Sequence, residues 1–304
     1  MITRPGFGQK PILMAHLAAL FTVGVWGATF VSTKVLLENG MNAVEIYIYR
    51  FLLAYILLLP FTCRKILSNS VRDEVLFFLC GLTSGAIYFI AENTALKYTL
   101  AGNVSLITSI SPLLTVLLVG AFYKNERPAK GVLLGSFIAL AGVGCVVFNS
   151  GFNMQINPLG DLLSLCAALS WAFYSIILRK LNANYSALFI TRKSFFYGIV
   201  TALPFLIFET HFTAPDRLLD PDIVWNLLFL GLVASLLCYF FWAKAMKVIG
   251  TIKVNNYMYL QPVFTLVLAY FVLSEGISFL GYAGCFLILF GLYLSDKLAK
   301  KGAA

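Results

Sequence analysis

Residues 11–33 read PILMAHLAALFTVGVWGATFVST, and no Asp, Glu, Lys or Arg occurs between Lys10 and Lys34. A helix that crosses the hydrocarbon core of a bilayer needs about 20 consecutive, mostly apolar residues. This stretch is long enough for that purpose, and it is too long for the apolar core of a signal peptide, which has roughly 7–15 residues. It therefore predicts a first membrane-spanning helix.

The composition of the whole chain extends this prediction. Hydrophobic residues make up 60% of the 304 positions, charged residues make up 12%, and the mean hydropathy is +0.88. Soluble domains carry roughly 45–50% apolar and about 25% charged residues, so this chain has too few charges to cover a surface in contact with water. The composition predicts an all-α membrane protein that is surrounded by a lipid bilayer.

Nine further stretches are apolar and long enough to cross a bilayer, which gives ten predicted transmembrane helices. The ten stretches cover residues 12–34, 43–62, 74–96, 100–122, 129–148, 158–178, 188–208, 223–243, 251–274 and 277–295. Arg50 lies inside the second stretch and Glu92 inside the third. Arg192 and Lys193 lie near the start of the seventh, where we expect their side chains to snorkel toward the membrane interface.

The distribution of basic residues predicts how the ten helices are oriented. Cytoplasmic loops of membrane proteins carry an excess of Lys and Arg. If the N-terminus is cytoplasmic, 18 of the 22 basic residues fall on the cytoplasmic side, and the exceptions are Lys34, Arg50, Lys97 and Arg217. The net charge of +9 is thus interpreted as a topology signal, and no nucleic-acid partner is expected. We predict a plasma (inner) membrane location with cytoplasmic tails at residues 1–11 and 297–304.

The two halves of the chain resemble each other. Trp26 and Trp171 are 145 residues apart, and Pro112 and Pro262 are 150 apart. Equivalent loops also differ in charge, because the loop after the second span is basic and the loop after the seventh is acidic. Since five is an odd number of spans, the second half must enter the membrane in the opposite orientation. We therefore predict two inverted five-helix repeats, residues 12–148 and 158–296.

Inverted repeats place a binding site near the middle of the bilayer, often where helices are broken. Pro112 and Pro262 lie at the centres of the fourth and ninth spans, where a proline removes a backbone hydrogen bond and kinks the helix. Polar residues surround both prolines, among them Thr108, Asn256 and Tyr259. These features predict a central cavity. The alternative interpretation is that the hydroxyl groups hold neighbouring helices together.

Arg50 and Glu92 are the two charged residues that the orientation of the helices does not explain. Charges inside a span are costly in lipid and usually face a partner or a water-filled cavity. One hypothesis is that Glu92 binds a cationic group of a substrate or a coupling proton. The other is that Arg50 and Glu92 form a structural ion pair.

Motifs that the sequence lacks narrow the class of protein. It contains no GxxxxGK[ST] phosphate loop, no HExxH and no GxSxG, so neither transport driven directly by ATP nor an enzyme is predicted. No cofactor and no metal ion is expected. The GxxxG pattern of Gly131 and Gly135 is interpreted as close helix packing in preference to a dimer contact, and we expect a monomer or a weak homodimer.

Several motifs together resemble the EamA-type drug/metabolite transporters. They are FTVGVWGATF at 21–30, YRFL at 49–52, SPL at 111–113 with Glu126, and QPV at 261–263 with Glu275, beside glycine-rich fifth and tenth spans. The resemblance covers residues 12–296. It implies a secondary carrier that moves small metabolites, often exporting amino acids or related compounds, through a cavity between the halves. The seventh span departs from the pattern, because Ser194 stands where Arg50 would map.

We therefore expect a secondary-active exporter of small metabolites, amino acids or related compounds, that works by alternating access. The alternatives are an uptake carrier for a sugar, vitamin or nucleoside, and a channel or non-transporting membrane scaffold. A small-molecule substrate and a coupling proton are the expected partners. The residues expected to bind the substrate are Trp26, Arg50, Tyr88, Glu92, Thr108, Pro112, Trp171, Tyr174, Trp242, Asn256, Tyr259 and Pro262.

Overall fold

A computed structural model describes residues 9–62, 66–99, 101–123, 128, 130–148, 157–209, 211–264, 267 and 278–301. Within these ranges the regular structure is helical, and no strand occurs in them. Glu126 and Glu275, which belong to the resemblance noted above, lie outside the described residues, as does the second part of the predicted ninth span.

The helices are numbered here so that each number corresponds to a predicted span. They are α1 (Gln9–Glu38), α2 (Ala43–Thr62), α3 (Val71–Tyr98), α4 (Ala101–Thr108 and Ser111–Phe122), α5 (Lys130–Val147), α6 (Pro158–Asn184), α7 (Ala187–Ala202), α8 (Pro221–Ile249), α9 (Thr251–Asn256) and α10 (Phe279–Lys301). Helix α7 continues into a 3-10 turn, Leu203–Phe208, and α9 into another, Tyr257–Leu260, which leads to a helical turn at 261–264. A short 3-10 turn, Arg217–Leu219, precedes α8.

Two of the long helices contain a π-helical segment in their middle. In α3 it covers Leu82–Ile87, and in α8 it covers Phe229–Leu237. The two segments occupy equivalent positions in the two halves of the chain. A π-helical segment shifts the backbone hydrogen bonds and is found frequently at functional sites.

The helices are suited to a bilayer in length and in surface. Among the described residues, α1 to α8 each provide a span long and apolar enough to cross a membrane, α7 together with its 3-10 turn, and α10 contains a shorter apolar stretch, Phe279–Ser295. Large apolar side chains are exposed on the outside of the bundle, for example Phe279 at 87% and Ile207 at 83%. The chain is therefore an all-helical, multi-pass membrane protein. The count of ten spans and the orientation of the termini stay predictions.

Capping residues and prolines in the sequence determine where several helices begin. Ser70 accepts a hydrogen bond from the backbone N–H of Asp73 at 3.1 Å and caps α3. Helix α6 begins in the same manner with Asn157, which is followed by Pro158. A polar cap satisfies an N–H that the helix leaves unpaired, and a proline in the first turn has no N–H to satisfy. Gly250, with φ +90°, separates α8 from α9 in a backbone conformation that favours glycine.

Helices α5 and α10 pack tightly along each other. Gly135 faces Gly291 and Gly142 faces Gly284, and a Cβ atom added at any of the four would lie within 2.7 Å of a backbone atom of the other helix. The order of these pairs shows that the two helices run antiparallel. Gly131 faces Leu298 of α10, so the GxxxG pattern serves helix packing inside the chain, as predicted.

Other helix–helix contacts occur in corresponding pairs in the two halves. Helix α1 packs on α8 and α6 on α3; α2 packs on the π-helical segment of α8 and α7 on that of α3; and α2 packs on α7. If each helix is replaced by its equivalent in the other half (α1 by α6, α2 by α7, α3 by α8), every pair becomes a pair of the same set. Two related halves are expected to give such a set, and the antiparallel α5–α10 pair agrees with inversion of one half relative to the other.

Candidate functional site

A small cavity lies between the two halves of the bundle. Its lining comes from α1, α2, α3, α6, α8 and the α9 region, and consists of Trp26, Thr29, Arg50, Tyr88, Phe89, Glu92, Trp171, Tyr239, Met258 and Gln261. Thr29 is half-buried and the other nine side chains are buried. Half of the ten lining side chains are thus aromatic, one is cationic and one is anionic.

Five of the residues expected to bind the substrate line this cavity, namely Trp26, Arg50, Tyr88, Glu92 and Trp171. Two more lie directly behind it. The ring of Tyr174 is 4.9 Å from that of Trp171, and the ring of Trp242 is 4.9 Å from that of Trp26, measured between centroids. These two side chains support the aromatic wall from outside.

The other five expected residues do not line the cavity. Thr108 donates to the carbonyl of Val104 in its own helix at 2.8 Å, and Asn256 donates to Ser295 at 3.1 Å. Pro112, Tyr259 and Pro262 are buried among helices elsewhere. The Thr108 hydroxyl thus has a structural contact within its own helix and does not face the cavity.

Both helices with a central proline are interrupted just before that proline. In α4 the turn of Ser109 and Ile110 separates the two helical segments, so Pro112 stands in the first turn of the second segment. In the α9 region a 3-10 turn precedes Gln261 and Pro262. Helix breaks occur where the sequence predicts them, but Gln261, the neighbour of Pro262, reaches the cavity instead of the proline.

Five lining residues are absent from the expected set. Two of them are marked by local patterns, because Thr29 lies one helical turn after Trp26 and Phe89 follows Tyr88 directly. Tyr239 and Gln261 belong to polar or aromatic clusters that contain several equally plausible residues. Met258 has no charge, aromatic ring or repeat partner to distinguish it, and only the folded helix places it at the cavity.

The aromatic walls join the two halves across the cavity. The ring centroids of Trp26 and Trp171, one from each half, are 5.2 Å apart at an interplanar angle of 88°. Tyr88 lies 5.2 Å from Trp171. Edge-to-face contacts of this kind are favourable and hold aromatic rings in a defined orientation.

Backbone carbonyls of the two π-helical segments bind the aromatic side chains. The indole N–H of Trp26 donates to the carbonyl of Ala234 at 3.0 Å, and the Tyr239 hydroxyl donates to the carbonyl of Ser84 at 2.8 Å. Ala234 and Ser84 lie in the π-helical segments of α8 and α3. Each segment therefore helps to fix an aromatic residue that lines the cavity.

Arg50 reaches the cavity from the middle of α2 and is 2% exposed. Its Nε donates to the hydroxyl of Ser235 at 2.9 Å. Its guanidinium carbon lies 4.6 Å from the ring centroid of Phe89 and 5.3 Å from that of Phe51. These contacts orient the guanidinium, while its two terminal nitrogens have no hydrogen-bond partner among the described residues.

Glu92 reaches the cavity from α3 and is 7% exposed. The hydroxyl of Tyr88 donates to its Oε1 at 2.7 Å, and no described residue donates to Oε2. No direct ion pair between Arg50 and Glu92 occurs within the described ranges. The two opposite charges therefore line one cavity and interact electrostatically without the direct ion pair that was one of the two hypotheses.

Arg192 and Lys193 do not snorkel as expected. They are 5% and 6% exposed and face the protein. Lys193 forms an ion pair with Glu74 of α3, and Tyr197 donates to the same carboxylate. Arg192 donates to backbone carbonyls, including that of Ile66. The prediction was wrong because partners that are distant in the sequence make burial of these charges favourable.

Polar contacts join the halves at both ends of the bundle. At the end where α3 begins, the Lys193–Glu74 pair is accompanied by a hydrogen bond from Tyr185 to Asp73 at 2.7 Å. At the opposite end, Ser32 donates to Asn226 at 2.7 Å. The carboxylate of Glu45 accepts from the backbone N–H of Thr213 at 2.9 Å.

Comparison with known proteins identifies the family of the chain. A family model described as "EamA-like transporter family" matches residues 10–148 and again residues 158–295. The two matches account for nearly the whole chain and fall on its two halves. They confirm the resemblance that the motifs indicate.

Relatives with curated names are similar over almost their full length. A protein of Archaeoglobus fulgidus named "Uncharacterized transporter" is 28% identical over 284 residues, which cover 92% of this chain and 96% of the relative. A protein of Escherichia coli (strain K12) named "Probable amino-acid metabolite efflux pump" is 29% identical over 285 residues, which cover 91% and 93%. These names describe transporters and no enzyme.

A solved crystal structure shares the fold. It superposes with a TM-score of 0.75 at 18% sequence identity and covers 95% of this chain and 99% of the other. At this identity the similarity concerns the arrangement of the helices alone.

Proposed function

The chain belongs to the EamA-like transporter family, and on that premise we propose that it is a secondary-active exporter of small metabolites, amino acids or related compounds. It is a transporter and not an enzyme, as the family and the names of the relatives indicate. We further propose two inverted five-helix repeats, residues 12–148 and 158–296, which move relative to each other so that the cavity opens to one side of the membrane at a time.

The observation that carries this proposal is the cavity between the halves. A buried cavity with aromatic walls and a few polar groups suits a small amphipathic molecule. Arg50 and Glu92 supply charged contacts in a place where charges would be costly without a function. The substrate-binding set that we propose is the ten lining residues, with Tyr174 and Trp242 as supports.

The polar contacts at the two ends of the bundle support alternating access. The Lys193–Glu74 pair at one end and the Ser32–Asn226 hydrogen bond at the other both join one half to the other. If the halves rock, each set has to break in one of the two open states. Such contacts would hold an occluded state in which the cavity is closed from both sides.

Export of amino acids is the direction and substrate class that we propose from the relatives. The Escherichia coli relative is named as an efflux pump for amino-acid metabolites, and the basic loops predict cytoplasmic termini in the plasma (inner) membrane. A coupling proton remains part of the proposal, with Glu92 as the group that would carry it. Gly131 and Gly135 pack within the chain, so the proposed state is a monomer.

Counterflow with purified protein in liposomes tests this function. Liposomes preloaded with one unlabelled metabolite from a panel of amino acids, amines, sugars, vitamins and nucleosides would be exposed to the labelled form, at two pH values. A carrier predicts transient accumulation that saturates and that depends on the trapped metabolite. Accumulation of a sugar, vitamin or nucleoside alone would favour the alternative substrates. Linear, unsaturable flux would indicate a channel, and no flux for any metabolite would contradict a transporter.

A further inference from the structure

The π-helical segment of α3, Leu82–Ile87, is held by side chains of the second half. The hydroxyl of Ser170 donates to the carbonyl of Thr83 at 2.7 Å, and the hydroxyl of Tyr239 donates to the carbonyl of Ser84 at 2.8 Å. Both donors are buried. An i→i+5 turn offsets its carbonyls from the α-helical register, so hydrogen bonds from outside the helix can satisfy them. These two contacts therefore stabilise the π-helical form.

A third hydroxyl touches the same segment without a hydrogen bond. The side chain of Tyr47 in α2 is fully buried, and its hydroxyl has no hydrogen-bond partner among the described residues. It lies between Gly85 of the segment and Gly198 of α7, and a Cβ atom added to either glycine would overlap with it. A buried hydroxyl without a partner is unfavourable and calls for an explanation. Tyr47 is thus a donor that lies against the segment and is unused in this state.

The equivalent position in the other half differs. Thr191 of α7 corresponds to Tyr47 in the same manner as Ser194 corresponds to Arg50. The hydroxyl of Thr191 donates to the carbonyl of Ala187 in its own helix at 2.9 Å. This hydroxyl is therefore already engaged, and Thr191 provides a matched control for Tyr47.

Two residues of the cavity follow the segment along α3. Tyr88 is the first residue after it, Glu92 lies one turn further, and both line the cavity. A change of register by one residue turns everything that follows by about 100° around the helix axis and shifts it by about 1.5 Å. The register of the segment therefore determines whether Tyr88 and Glu92 face the cavity.

We propose that this segment is a two-state joint, which converts to α-helix during transport. On conversion its carbonyls leave Ser170 and Tyr239, the hydroxyl of Tyr47 donates to one of them, and Glu92 turns away from the cavity. Ser170 and Tyr47 are thus positioning residues with opposite effects, because the first stabilises the form seen here and the second the converted form. This joint rests on the proposed transport function and adds the element that moves the group proposed to carry the proton.

The unfolding temperature in detergent separates a used donor from an unused one. Tyr47→Phe removes a buried hydroxyl without a partner, so the unfolding temperature is expected to rise by about 2–4 °C. Ser170→Ala removes a donor that is engaged, and it is expected to lower the unfolding temperature by about the same amount. A decrease in both variants would show that Tyr47 has only a structural role and would overturn the joint.

Amide hydrogen exchange in detergent follows the segment without any need for transport. The amides of residues 78–92 exchange when the segment changes its hydrogen bonds. Ser170→Ala favours the conversion, so exchange is expected to become roughly tenfold faster, and Tyr47→Phe is expected to make it roughly tenfold slower. Thr191→Val, the control, should leave the rates of these amides unchanged. Changes in the same direction for Ser170→Ala and Tyr47→Phe would overturn the joint.

Counterflow of L-leucine in liposomes links the joint to transport. Tyr47→Phe is expected to lower kcat by roughly tenfold although the protein becomes more stable, because the converted form loses its donor. A residue needed only for packing would lower stability and transport together. Thr191→Val should keep the kcat of the unaltered chain.

The outcomes separate the joint from the proposed function. Unchanged counterflow in Tyr47→Phe, or the same loss of kcat in Thr191→Val, would overturn the joint while the transport function stands. If the unaltered chain does not exchange L-leucine, the proposed substrate class fails. In that case, amide exchange that changes in opposite directions in Ser170→Ala and Tyr47→Phe would still support the joint.

Discussion

The crossing of α2 with α8 and the crossing of α7 with α3 are counterparts in the two halves, and a charged side chain, Arg50, occurs in the first where Ser194 occurs in the second. In the first, Gly231 approaches α2 so closely that an added Cβ would lie 3.2 Å from the carbonyl oxygen of Arg50. In the second, a Cβ added to Gly81 would lie 2.7 Å from the carbonyl oxygen of Ser194. The backbones of the two crossings are thus alike.

The side chains at these two positions lead to different environments. Arg50 extends from α2 to Ser235 and into the cavity, whereas Ser194 lies 3.2 Å from Cys80 Sγ in a packed, neutral contact. The repeated fold therefore offers two equivalent crossings, and only the first brings a charged side chain to the cavity. Variants that exchange or remove these side chains test whether the charge at Arg50 accounts for the difference.

The largest effect is expected when the charge is placed in the wrong half. Ser194→Arg would bury a guanidinium in the tight α7–α3 crossing, where Cys80 offers only a thiol. A buried charge without a partner costs roughly 3–5 kcal/mol, so we expect marked loss of folded protein. Thermal unfolding in detergent would measure it, and an unchanged unfolding temperature would show that the second crossing is as open as the first.

The second largest effect is expected when the Arg50 charge is removed from α2. Arg50→Ser makes α2 resemble α7, and it is expected to lower kcat/KM for amino-acid counterflow by about a hundredfold, since a buried charged contact with the ligand is lost. Folding should be retained, because Arg50 has no ion-pair partner among the described residues. Counterflow rates close to those of the unaltered protein would remove Arg50 from the site.

A smaller effect is expected at the residue that orients Arg50. Ser235→Ala removes the acceptor of Nε and should raise KM for the amino acid by roughly fivefold while kcat changes little. Ser235→Thr, which retains the hydroxyl, should restore KM. An equal loss in kcat, or no restoration by threonine, would indicate that Ser235 matters for packing and not for the position of Arg50.

The smallest effect is expected in the second crossing. The double variant Cys80→Ala with Ser194→Ala removes both polar groups of a neutral contact, and such joint removal changes little, so KM and kcat should stay within about twofold. The same counterflow assay measures both constants. A large loss would show that this crossing contributes to the site in spite of its neutral side chains.

Much of the site can be predicted from the sequence, for a definite physical reason. Charges inside apolar spans are rare because lipid makes them costly, so Arg50 and Glu92 stand out from single residues alone. The pairing of Trp26 with Trp171 follows from the internal repeat. Both kinds of signal are local or periodic, and neither requires knowledge of distant contacts.

The remainder depends on contacts between distant parts of the chain. The π-helical segments of α3 and α8 contain no proline that would mark them, and the carbonyls of Ser84 and Ala234 are engaged by side chains that only the folded bundle brings near. Lys193 meets Glu74 across 119 residues, which the sequence pattern does not reveal. The central prolines predict where helices break, but not which side chain reaches the cavity.

We propose that the cavity lined by Arg50 carries an amino acid across the membrane by alternating access. The most direct measurement is the initial uptake of labelled L-leucine into liposomes that contain the purified protein, with and without trapped unlabelled L-leucine, for the unaltered chain and for Arg50→Ser. We expect saturable uptake that trapped leucine stimulates and that Arg50→Ser lowers by about a hundredfold. Uptake that rises linearly with concentration, or that is the same in both proteins, would contradict it.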